Sequence, residues 1–301
     1  MKLYLPEKYQ NFPSITGVSL HYYDVSTGEG LDDADLIIGN PSTVFNNPQD
    51  FPKVKFIQLS SAGYDKVPLD ALTGQGVLVA NARGLYSKQI AEYTLAHILS
   101  HVKRLNDYQE AQVKKEWDLS PMPQTLENKK ALILGTGSIG MEIARKLKSF
   151  DVTVWGINSS GRNVDGFDAC YALADIMDQL SDVDYVINAL PFNQSTKGIV
   201  DKTFLDTMKD TSMLINIGRG DTMNETDLIA SLDSLGHVVL DVFTVEPLPK
   251  DSVLWTHPKV TITPHISYHG DLNGQKTIDL MHKNVSAFVF GKGIENSINQ
   301  L

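Results

Sequence analysis

The sequence has one cysteine, no excess of positive charge, and no apolar run long enough to cross a membrane. Cys170 cannot form a disulfide within the chain, and without a neighbouring histidine or second cysteine we interpret it as a packed small hydrophobe rather than a nucleophile. The net charge of −10 argues against a nucleic-acid-binding protein, since such proteins need an extended basic face. Because residues Met1 to Lys8 lack the apolar core of a signal peptide, we expect a cytoplasmic protein with no membrane partner.

The composition is that of an ordinary globular protein. The chain is 42% hydrophobic and 21% charged over 301 residues, which is long enough for two domains. Its acidic balance means that any anionic ligand must be held by local charge.

The most informative stretch is an apolar run, Ala131 to Leu134, that continues into three glycines spaced G-x-G-x-x-G between Gly135 and Gly140. Such glycines allow a tight turn, close approach of the backbone to a pyrophosphate, and close packing of the next helix. The spacing alone also occurs in ordinary loops. Here an amphipathic helix from Ser138 to Ser149 and an apolar strand from Val152 to Ile157 complete a β-α-β unit, which predicts a dinucleotide site.

Before this unit the chain alternates short apolar runs with turn signals. These runs predict the strands of a small parallel sheet: Val18 to Tyr22, Leu36 to Gly39, Val54 to Leu59 and Val77 to Ala80. A long helix follows, with Ser87 as its N-cap and an apolar face that continues to Leu105. The helical pattern fades past Trp117, and Pro121 marks the crossing between domains.

After the glycine-rich unit, strands and helices alternate again. The predicted helices are Leu173 to Leu180, Lys202 to Met208 and Glu225 to Leu235, with Gly236 as a helix C-cap. The predicted strands are Tyr185 to Ala189, Met213 to Ile217, Val238 to Val242 and Val260 to Thr263. A final amphipathic helix, carrying Leu280, Val285, Phe288 and Val289, is expected to return to the first domain. This order predicts a doubly wound α/β protein with the cofactor fold inserted in the middle of the chain.

A strand end and a pair of histidines each allow both a functional and an ordinary structural interpretation. The segment Leu59 to Asp65 ends a strand in small residues whose backbone N–H groups can hold a carboxylate, or it is a plain turn. His97 and His101 lie one helical turn apart, as in some metal sites. No third ligand accompanies them, so we interpret them as ordinary helix residues and predict no metal.

Distinctive polar residues follow three of the predicted strands. They are Arg219 after Met213 to Ile217, Glu246 after Val238 to Val242, and His265 after Val260 to Thr263. Because ligands bind beyond the carboxyl ends of parallel strands, the three are expected to share one crevice. Carbonyl reduction beside a nicotinamide needs such a set: a cation for the substrate anion, an imidazole for the proton, and a carboxylate that keeps the proton donor charged.

In its motifs the chain resembles the NAD(P)-dependent D-2-hydroxyacid dehydrogenases, over nearly its full length. The matching motifs are Ser60-Ser61-Ala62-Gly63, Ala91-Glu92-Tyr93, Gly135 to Gly140, Leu190-Pro191 with Thr196, Asn216 to Gly220, Asp241 to Pro247, and Thr263 to Ser267. The resemblance implies a Rossmann cofactor domain at residues 96–264, inserted into a smaller flavodoxin-like substrate domain at residues 1–95 and 265–301. It also implies a homodimer that pairs through the cofactor domains.

The resemblance further assigns roles to individual residues. Arg219 and the loop Ser61, Ala62 and Gly63 would bind the 2-keto acid, His265 would be the acid/base, and Glu246 its partner. Asp241 would contact the nicotinamide amide. The implied cofactor residues are Gly135, Thr136, Gly137, Ser138, Ile139, Gly140, Leu190, Pro191, Thr196, Ile217, Gly218, Asp241 and His265.

One position departs from the pattern of the family. Many members carry an acidic residue for the adenosine ribose at the end of the strand after the glycines, and this chain has Asn158 there. A carboxylate would repel a 2′-phosphate, whereas Ser159, Ser160 and Arg162 offer donors and a positive charge. We therefore predict that NADP(H) is preferred and that NAD(H) remains possible.

The sequence favours a reductase that converts a small 2-keto acid to the D-2-hydroxy acid, and the reverse. Formate and phosphite dehydrogenases look similar, but formate dehydrogenases have glutamine where Glu246 stands. The C-terminal binding protein corepressors use this fold as a dinucleotide-sensing interaction module, yet this chain shows no long disordered tail. Candidates for lining the substrate pocket are Tyr64, Tyr86, Tyr268 and His269.

Overall fold

A computed structural model describes residues 1–25, 30–39, 49 and 51–299. The chain divides into two compact units, and the second is inserted into the first. The first unit comprises Met1–Tyr86 and Gly270–Leu301, and the second comprises Ser87–His269. The sequence-based boundaries lie nearby, at residues 95 and 265. The start of the second unit precedes residue 95 because one helix, Ser87–Val102, packs against the helix of the glycine-rich unit along its length.

The first unit contains a five-stranded parallel sheet. Its strands are β1 (Lys2–Pro6), β2 (Ser19–Tyr23), β3 (Leu36–Gly39), β4 (Phe56–Leu59) and β5 (Leu78–Ala80). They lie in the order β2-β1-β3-β4-β5, which confirms the predicted flavodoxin-like arrangement. The described residues of this unit include the helices α1 (Leu69–Gly74) and the C-terminal α8 (Asn273–Val289).

Both faces of this sheet are buried, as expected for parallel strands. On β3, Leu36 and Ile38 point to one apolar cluster and Ile37 points to the other. The first cluster includes Met281 and Val285 of α8, so the C-terminal helix completes the core of the first unit. The expected return of the chain is confirmed.

The second unit contains a seven-stranded parallel sheet. Its strands are β6 (Lys130–Leu134), β7 (Thr153–Asn158), β8 (Ala169–Ala172), β9 (Tyr185–Asn188), β10 (Met213–Asn216), β11 (His237–Leu240) and β12 (Val260–Ile262). Its helices are α2 (Ser87–Val102), α3 (Leu105–Lys114), α4 (Ser138–Lys148), α5 (Met177–Leu180), α6 (Lys202–Thr207) and α7 (Glu225–Ser231). The order β12-β11-β10-β9-β6-β7-β8 is that of a Rossmann sheet with one additional strand.

Several predicted elements differ from the structure. Strands β1 and β8 and helix α1 were not predicted, and Leu105 begins a separate helix instead of extending α2. Ser87 is not an N-cap, since it lies inside the first turn of α2 and its hydroxyl has no hydrogen-bond partner among the described residues. The predicted helix from Leu173 is a 3-10 turn followed by the short α5.

Gly236 has a different role from the predicted C-cap. Helix α7 ends at Ser231 and a 3-10 turn ends at Ser234. A Cβ on Gly236 would lie 2.5 Å from the carbonyl oxygen of Thr211, so glycine is needed there for close approach of two loops. Among the described residues, no helix combines the length and the apolar character needed to span a bilayer.

Candidate active site

Each of the three glycines after β6 lies in a different structural environment. Gly135 has φ +104°, and an added Cβ would lie 3.1 Å from the carbonyl oxygen of Ala189. At Gly140 an added Cβ would lie 2.0 Å from the carbonyl oxygen of Gly135, so only glycine lets α4 pack this close to the strand end. At Gly137 an added Cβ would meet nothing within 4 Å.

Gly137 therefore leaves open space at the start of α4, where it is the N-cap and contributes no side-chain cap. The N–H groups of the first turn of a helix need an acceptor, and the helix dipole favours an anion. Thr136 is buried beneath this turn, and Ser138 and Ile139 are partly exposed on it. These residues fit the pyrophosphate of a dinucleotide.

The loop after β7 is built by the Asn158 side chain. Its Nδ2 donates to the carbonyl oxygen of Arg162 at 2.9 Å, and its Oδ1 accepts from the N–H of Ser160 at 3.2 Å. Gly161 has φ +70°, and an added Cβ would lie 2.9 Å from the backbone nitrogen of Ala172. Arg162 is exposed, and no ion pair or hydrogen bond occupies its guanidinium among the described residues. Asn158 thus shapes a turn that presents Arg162.

Arg219 follows β10 in a backbone segment fixed on both sides. A Cβ added at Gly218 would lie 2.6 Å from the carbonyl oxygen of Leu190, and one added at Gly220 would lie 1.9 Å from the carbonyl carbon of Phe243. The two glycines therefore let the chain pass between the loops after β9 and β11. The Arg219 side chain is partly exposed, and its Nη1 donates to the carbonyl oxygen of Gly218 at 2.8 Å.

His265 and Glu246 form a pair. The Nδ1 of His265 lies 2.9 Å from Oε2 of Glu246, and Oε1 of Glu246 accepts from the N–H of Phe243 at 3.0 Å. Both side chains are somewhat more than one-third exposed, at 39% and 38%. The second ring nitrogen of His265 is thus left to act on a ligand while the carboxylate orients the ring.

Asp241 holds the loop that carries His265. The side chain is fully buried; its Oδ1 accepts from the Thr263 hydroxyl at 2.6 Å and from the N–H of Ile266 at 2.8 Å, and its Oδ2 accepts from the N–H of Ser267 at 2.9 Å. Since Thr263 donates to Asp241, the Tyr93 hydroxyl, 2.6 Å away, must donate to Thr263. The structure thus assigns Asp241 a role in the loop that the sequence analysis missed.

The loop after β9 is closed by Thr196, which is 3% exposed. Its hydroxyl donates to the carbonyl oxygen of Pro191 at 2.7 Å and accepts from the N–H of Asn193 at 2.9 Å. Leu190 is buried and Pro191 is exposed on the surface of the loop. Ile217 and Gly218, in the next strand-end loop, are buried. Thr196 therefore supports the shape of the loop.

In the first unit, each carbonyl group of the loop from Ser60 to Gly63 accepts a hydrogen bond from within the unit. The four carbonyl oxygens accept from Tyr86 Oη at 2.6 Å, the N–H of Ala82 at 2.9 Å, Asn81 Nδ2 at 2.7 Å and Ser61 Oγ at 2.7 Å, in chain order. Within the part of the chain that the structure describes, no hydrogen bond uses the N–H groups of Ser61, Ala62 or Gly63. Free N–H groups in series suit an anion.

The structure separates the four candidates for the substrate pocket. Tyr268 meets the His265 ring edge-on at a centroid distance of 5.8 Å, and His269 meets Tyr268 at 4.5 Å. Tyr86 supports the Ser60 carbonyl, as described above. Tyr64 is 44% exposed on the surface of the first unit. Of the four candidates, Tyr268 is therefore the one in contact with the His265 ring.

His97 and His101 pack inside the second unit. His97 lies against Tyr93 at a ring distance of 4.4 Å, and His101 stacks on His237 at 4.8 Å. Burial first, and His101 second, lowers the pKa of His237 to about 4. Among the described residues, no group of three histidine, cysteine or acidic side chains has the arrangement needed to hold a metal ion.

Comparisons with known proteins agree with this geometry. The model of the family described as D-isomer specific 2-hydroxyacid dehydrogenase, NAD binding domain, matches residues 95–267. The chain is 30% identical over 215 residues to glyoxylate/hydroxypyruvate reductase A of Salmonella paratyphi B, covering 70% of this chain and 68% of that protein.

Solved structures extend the comparison to almost the whole chain. A D-isomer specific 2-hydroxyacid dehydrogenase family protein from Aeromonas salmonicida superposes with a TM-score of 0.86 at 29% identity, over 99% of this chain and 98% of that chain. Phosphoglycerate dehydrogenase from Lactobacillus plantarum gives a TM-score of 0.61 at 31% identity, over 99% of this chain and 100% of that one.

Proposed function

Since the chain belongs to the D-isomer specific 2-hydroxyacid dehydrogenase family, we propose that it reduces a small 2-keto acid to the D-2-hydroxy acid and catalyses the reverse reaction. The observation that carries the proposal is the His265–Glu246 pair, 2.9 Å apart, beyond the carboxyl ends of β11 and β12. The glycines after β6 and Arg219 after β10 lie at the same edge of this parallel sheet, where ligands bind in doubly wound folds.

Each side chain has a defined task in reduction. The Arg219 guanidinium binds the substrate carboxylate, and its planar fork matches the two oxygens. The protonated His265 ring gives a proton to the carbonyl oxygen, and Glu246 stabilises the positive charge that the ring carries before it does so. When bound, the reduced nicotinamide supplies the hydride, with both electrons, to the carbonyl carbon. Solvent returns a proton to His265 after product release.

The loop of the first unit offers a second group for the substrate. The N–H groups of Ser61, Ala62 and Gly63 have no acceptor among the described residues, and the carbonyls around them are fixed by four hydrogen bonds. We assign these N–H groups to an anionic oxygen of the keto acid. Such backbone donors are rigid, so binding loses little conformational entropy.

For the substrate we propose glyoxylate or hydroxypyruvate first. A relative that shares 30% of its residues over 70% of this chain is a glyoxylate/hydroxypyruvate reductase. Tyr268, edge-on to His265, places a rigid aromatic wall beside the reacting imidazole. For the location we propose the cytoplasm, which contains the reduced nicotinamide dinucleotide that the reaction consumes.

Steady-state kinetics of Arg219 variants tests this function. The wild type is assayed with glyoxylate, hydroxypyruvate, pyruvate and a branched keto acid, and for oxidation of formate. Arg219→Ala should lower kcat/KM for the preferred keto acid. The loss should correspond to about 3 kcal/mol of transition-state stabilisation, since hydrogen bonds to a charged group are lost. Arg219→Lys should recover part of this loss because an ammonium lacks the planar fork. Dinucleotide binding without turnover of any keto acid, or turnover of formate alone, contradicts the proposal.

We further propose that the cofactor is preferentially NADP(H). The unpaired, exposed Arg162 and the hydroxyls of Ser159 and Ser160 lie on the turn that Asn158 closes. An asparagine, unlike a carboxylate, does not repel a 2′-phosphate; at about 4 Å and an effective dielectric near 20, that repulsion is about 4 kcal/mol before screening. Arg162 supplies a local positive charge in a chain whose net charge of −10 is unfavourable to anions.

We also propose that two copies pair through their second units. The segment from Leu105 to Met122 exposes a row of large apolar side chains. Val113 is 82% exposed, Trp117 93% and Leu119 79%. Large exposed apolar surfaces are rare on monomeric proteins, so five such side chains between Leu105 and Met122 support an interface on this segment.

A further inference from the structure

We propose that Asn188, Asn216 and Thr222 are positioning residues for the substrate-binding arginine. Together they fix the backbone carbonyl of Arg219, from which the direction of its guanidinium follows. This inference rests on the proposed role of Arg219 in binding the keto acid. None of the three side chains reaches the surface, so they act through Arg219 and not on the substrate.

Two hydrogen-bond paths converge on one oxygen atom. In the first, Asn188 Nδ2 donates to Thr222 Oγ1 at 2.7 Å, and Thr222 Oγ1 donates to the Arg219 carbonyl at 2.6 Å. In the second, Asn188 Nδ2 donates to Asn216 Oδ1 at 3.2 Å, and Asn216 Nδ2 donates to the same carbonyl at 3.3 Å. The N–H of Thr222 adds a third donor at 3.3 Å.

The direction of this network is fixed by its donors and acceptors. A hydroxyl has one proton, and Thr222 gives it to Arg219, so Thr222 must accept from Asn188. Asn188 uses both protons of its amide group, one on Thr222 and one on Asn216. No alternative set of donors satisfies the same atoms, so the Arg219 carbonyl has one preferred position.

The network also connects the substrate arginine with neighbouring loops. Asn188 and Asn216 end the adjacent strands β9 and β10 and are register partners. Asn188 Oδ1 accepts from the N–H of Leu190 at 3.2 Å, and Asn216 Oδ1 accepts from the N–H of Gly218 at 3.2 Å. The same amides that hold Arg219 therefore set the start of both loops.

Burial makes this arrangement sensitive to small changes. The three side chains are 0% exposed, and none of their polar atoms is unsatisfied in the structure. A buried polar group that loses its partner keeps its desolvation penalty, so the remaining groups rearrange when one is removed. The Gly218 and Gly220 backbones have little room to shift toward the neighbouring loops, because even an added Cβ would lie 2.6 Å from Leu190 O and 1.9 Å from Phe243 C. Loss of the Thr222 hydroxyl is therefore expected to act mainly on Arg219, since this hydroxyl bonds to Asn188 and to the Arg219 carbonyl.

The decisive variant is Thr222→Val, which keeps the shape of the side chain and removes its hydroxyl. It should raise KM for glyoxylate, or for whichever keto acid the wild type prefers, about tenfold, as loss of one buried hydrogen bond implies. KM for the dinucleotide should change less than about twofold. Thr222→Ser retains the hydroxyl and should remain close to wild type. Asn216→Asp, which turns the donor to Arg219 into an acceptor, should give the same selective rise.

A double-mutant cycle separates positioning from stability. In an Arg219→Ala background, Thr222→Val should have no further effect on KM for the keto acid, because the side chain it positions is absent. A purely structural role lowers Tm and leaves KM unchanged, or changes KM equally in both backgrounds. Either result overturns the inference while Arg219→Ala still impairs binding. If Arg219→Ala leaves both KM and kcat/KM for the keto acid unchanged, the proposed role of Arg219 and this inference are both wrong. Tm of each variant establishes that it is folded.

Discussion

His265 has φ +53°, a backbone conformation that non-glycine residues adopt rarely. Such a residue costs about 1–3 kcal/mol and persists only where its surroundings impose it. Here the Asp241 carboxylate imposes it through bonds to the N–H groups of Ile266 and Ser267 on one side and to the Thr263 hydroxyl on the other. A buried carboxylate thus fixes the backbone of His265, the proposed proton donor, and Glu246 orients its ring. Two acidic residues with different tasks act on one imidazole.

Cofactor preference is a prediction at the scale of single residues. Arg162→Ala should raise KM for NADPH about tenfold and KM for NADH less than about twofold, because only the former carries the 2′-phosphate that a guanidinium binds. Asn158→Asp should shift preference toward NADH: it replaces the donor to the Arg162 carbonyl by an acceptor and adds a negative charge. The measurement is kcat/KM with each cofactor at saturating keto acid.

Lys209→Ala is the matched control for Arg162→Ala. It removes the same charge at the other edge of the sheet, where Lys209 pairs with Asp184 at 3.6 Å before β9. It should leave both KM values unchanged. An equal effect of Arg162→Ala on the two cofactors, or a wild type that is clearly more efficient with NADH, contradicts our interpretation of the loop.

The sequence was informative about these residues to different degrees. Arg219, Glu246 and His265 follow strands, and parallel strands end at one edge of a sheet, so their common location was predictable. The turn closed by Asn158 and the partners of Asp241 were not. Those hydrogen bonds join residues that are 4 and 22 to 26 positions apart, and their geometry depends on loops for which the sequence has no periodicity.

At the scale of elements, the end of α2 illustrates the limit of periodicity. Val102 and Leu105 are three residues apart, a spacing that predicts one continuous apolar face. The structure ends α2 at Val102, turns the chain at Arg104 with φ +56°, and begins α3 at Leu105. Leu105 is 52% exposed. Leu105 thus continues the apolar spacing of α2 although it is exposed and belongs to the next helix. An exposed apolar residue, for example one at an interface, makes a predicted helix too long.

Helix α2 also carries a pH-dependent contribution to stability. Burial holds the pKa values of His97 and His101 below the usual range, and that of His237 falls to about 4. Asp241 faces His97, Arg104 faces His101 and His237, and Asp107 faces His101. In the unfolded chain each imidazole titrates near 6.5. Between about pH 6.5 and 4 the unfolded state therefore binds more protons, so stability falls with falling pH in that window.

His237→Gln should flatten this pH dependence. After a discount for partial exposure of the ring, we expect the variant to lose about 1–2 kcal/mol less stability than the wild type between pH 7 and 4.5. Urea unfolding followed by tryptophan fluorescence measures it, because Trp117, Trp155 and Trp255 all lie in the second unit. His21→Gln removes a histidine of the first unit and is the control. Identical pH slopes for wild type and His237→Gln contradict the assignment.

At the scale of the whole molecule, two units can be expected from the sequence because each has its own βα alternation. The strands that the sequence did not predict are β1 and β8. Strand β1 is short and ends in Pro6, and the edge strand β8 is only partly buried along its length. Neither strand contains valine, isoleucine or threonine, the β-branched residues that help to mark a strand in a sequence. Their places in the sheets follow from the register of neighbouring strands, which a single sequence does not contain.

The pairing of two copies is the last prediction, and it depends on the apolar segment from Leu105 to Met122. The wild type should elute with about twice the chain mass of 33.2 kDa in size exclusion with light scattering. Trp117→Glu should shift it to the mass of one chain, because a charge at a buried apolar interface is strongly unfavourable. Val253→Glu alters another exposed apolar residue of the second unit, 53% exposed, and should leave the mass unchanged. A monomeric wild type, or a dimer that persists in Trp117→Glu, excludes this segment as the interface.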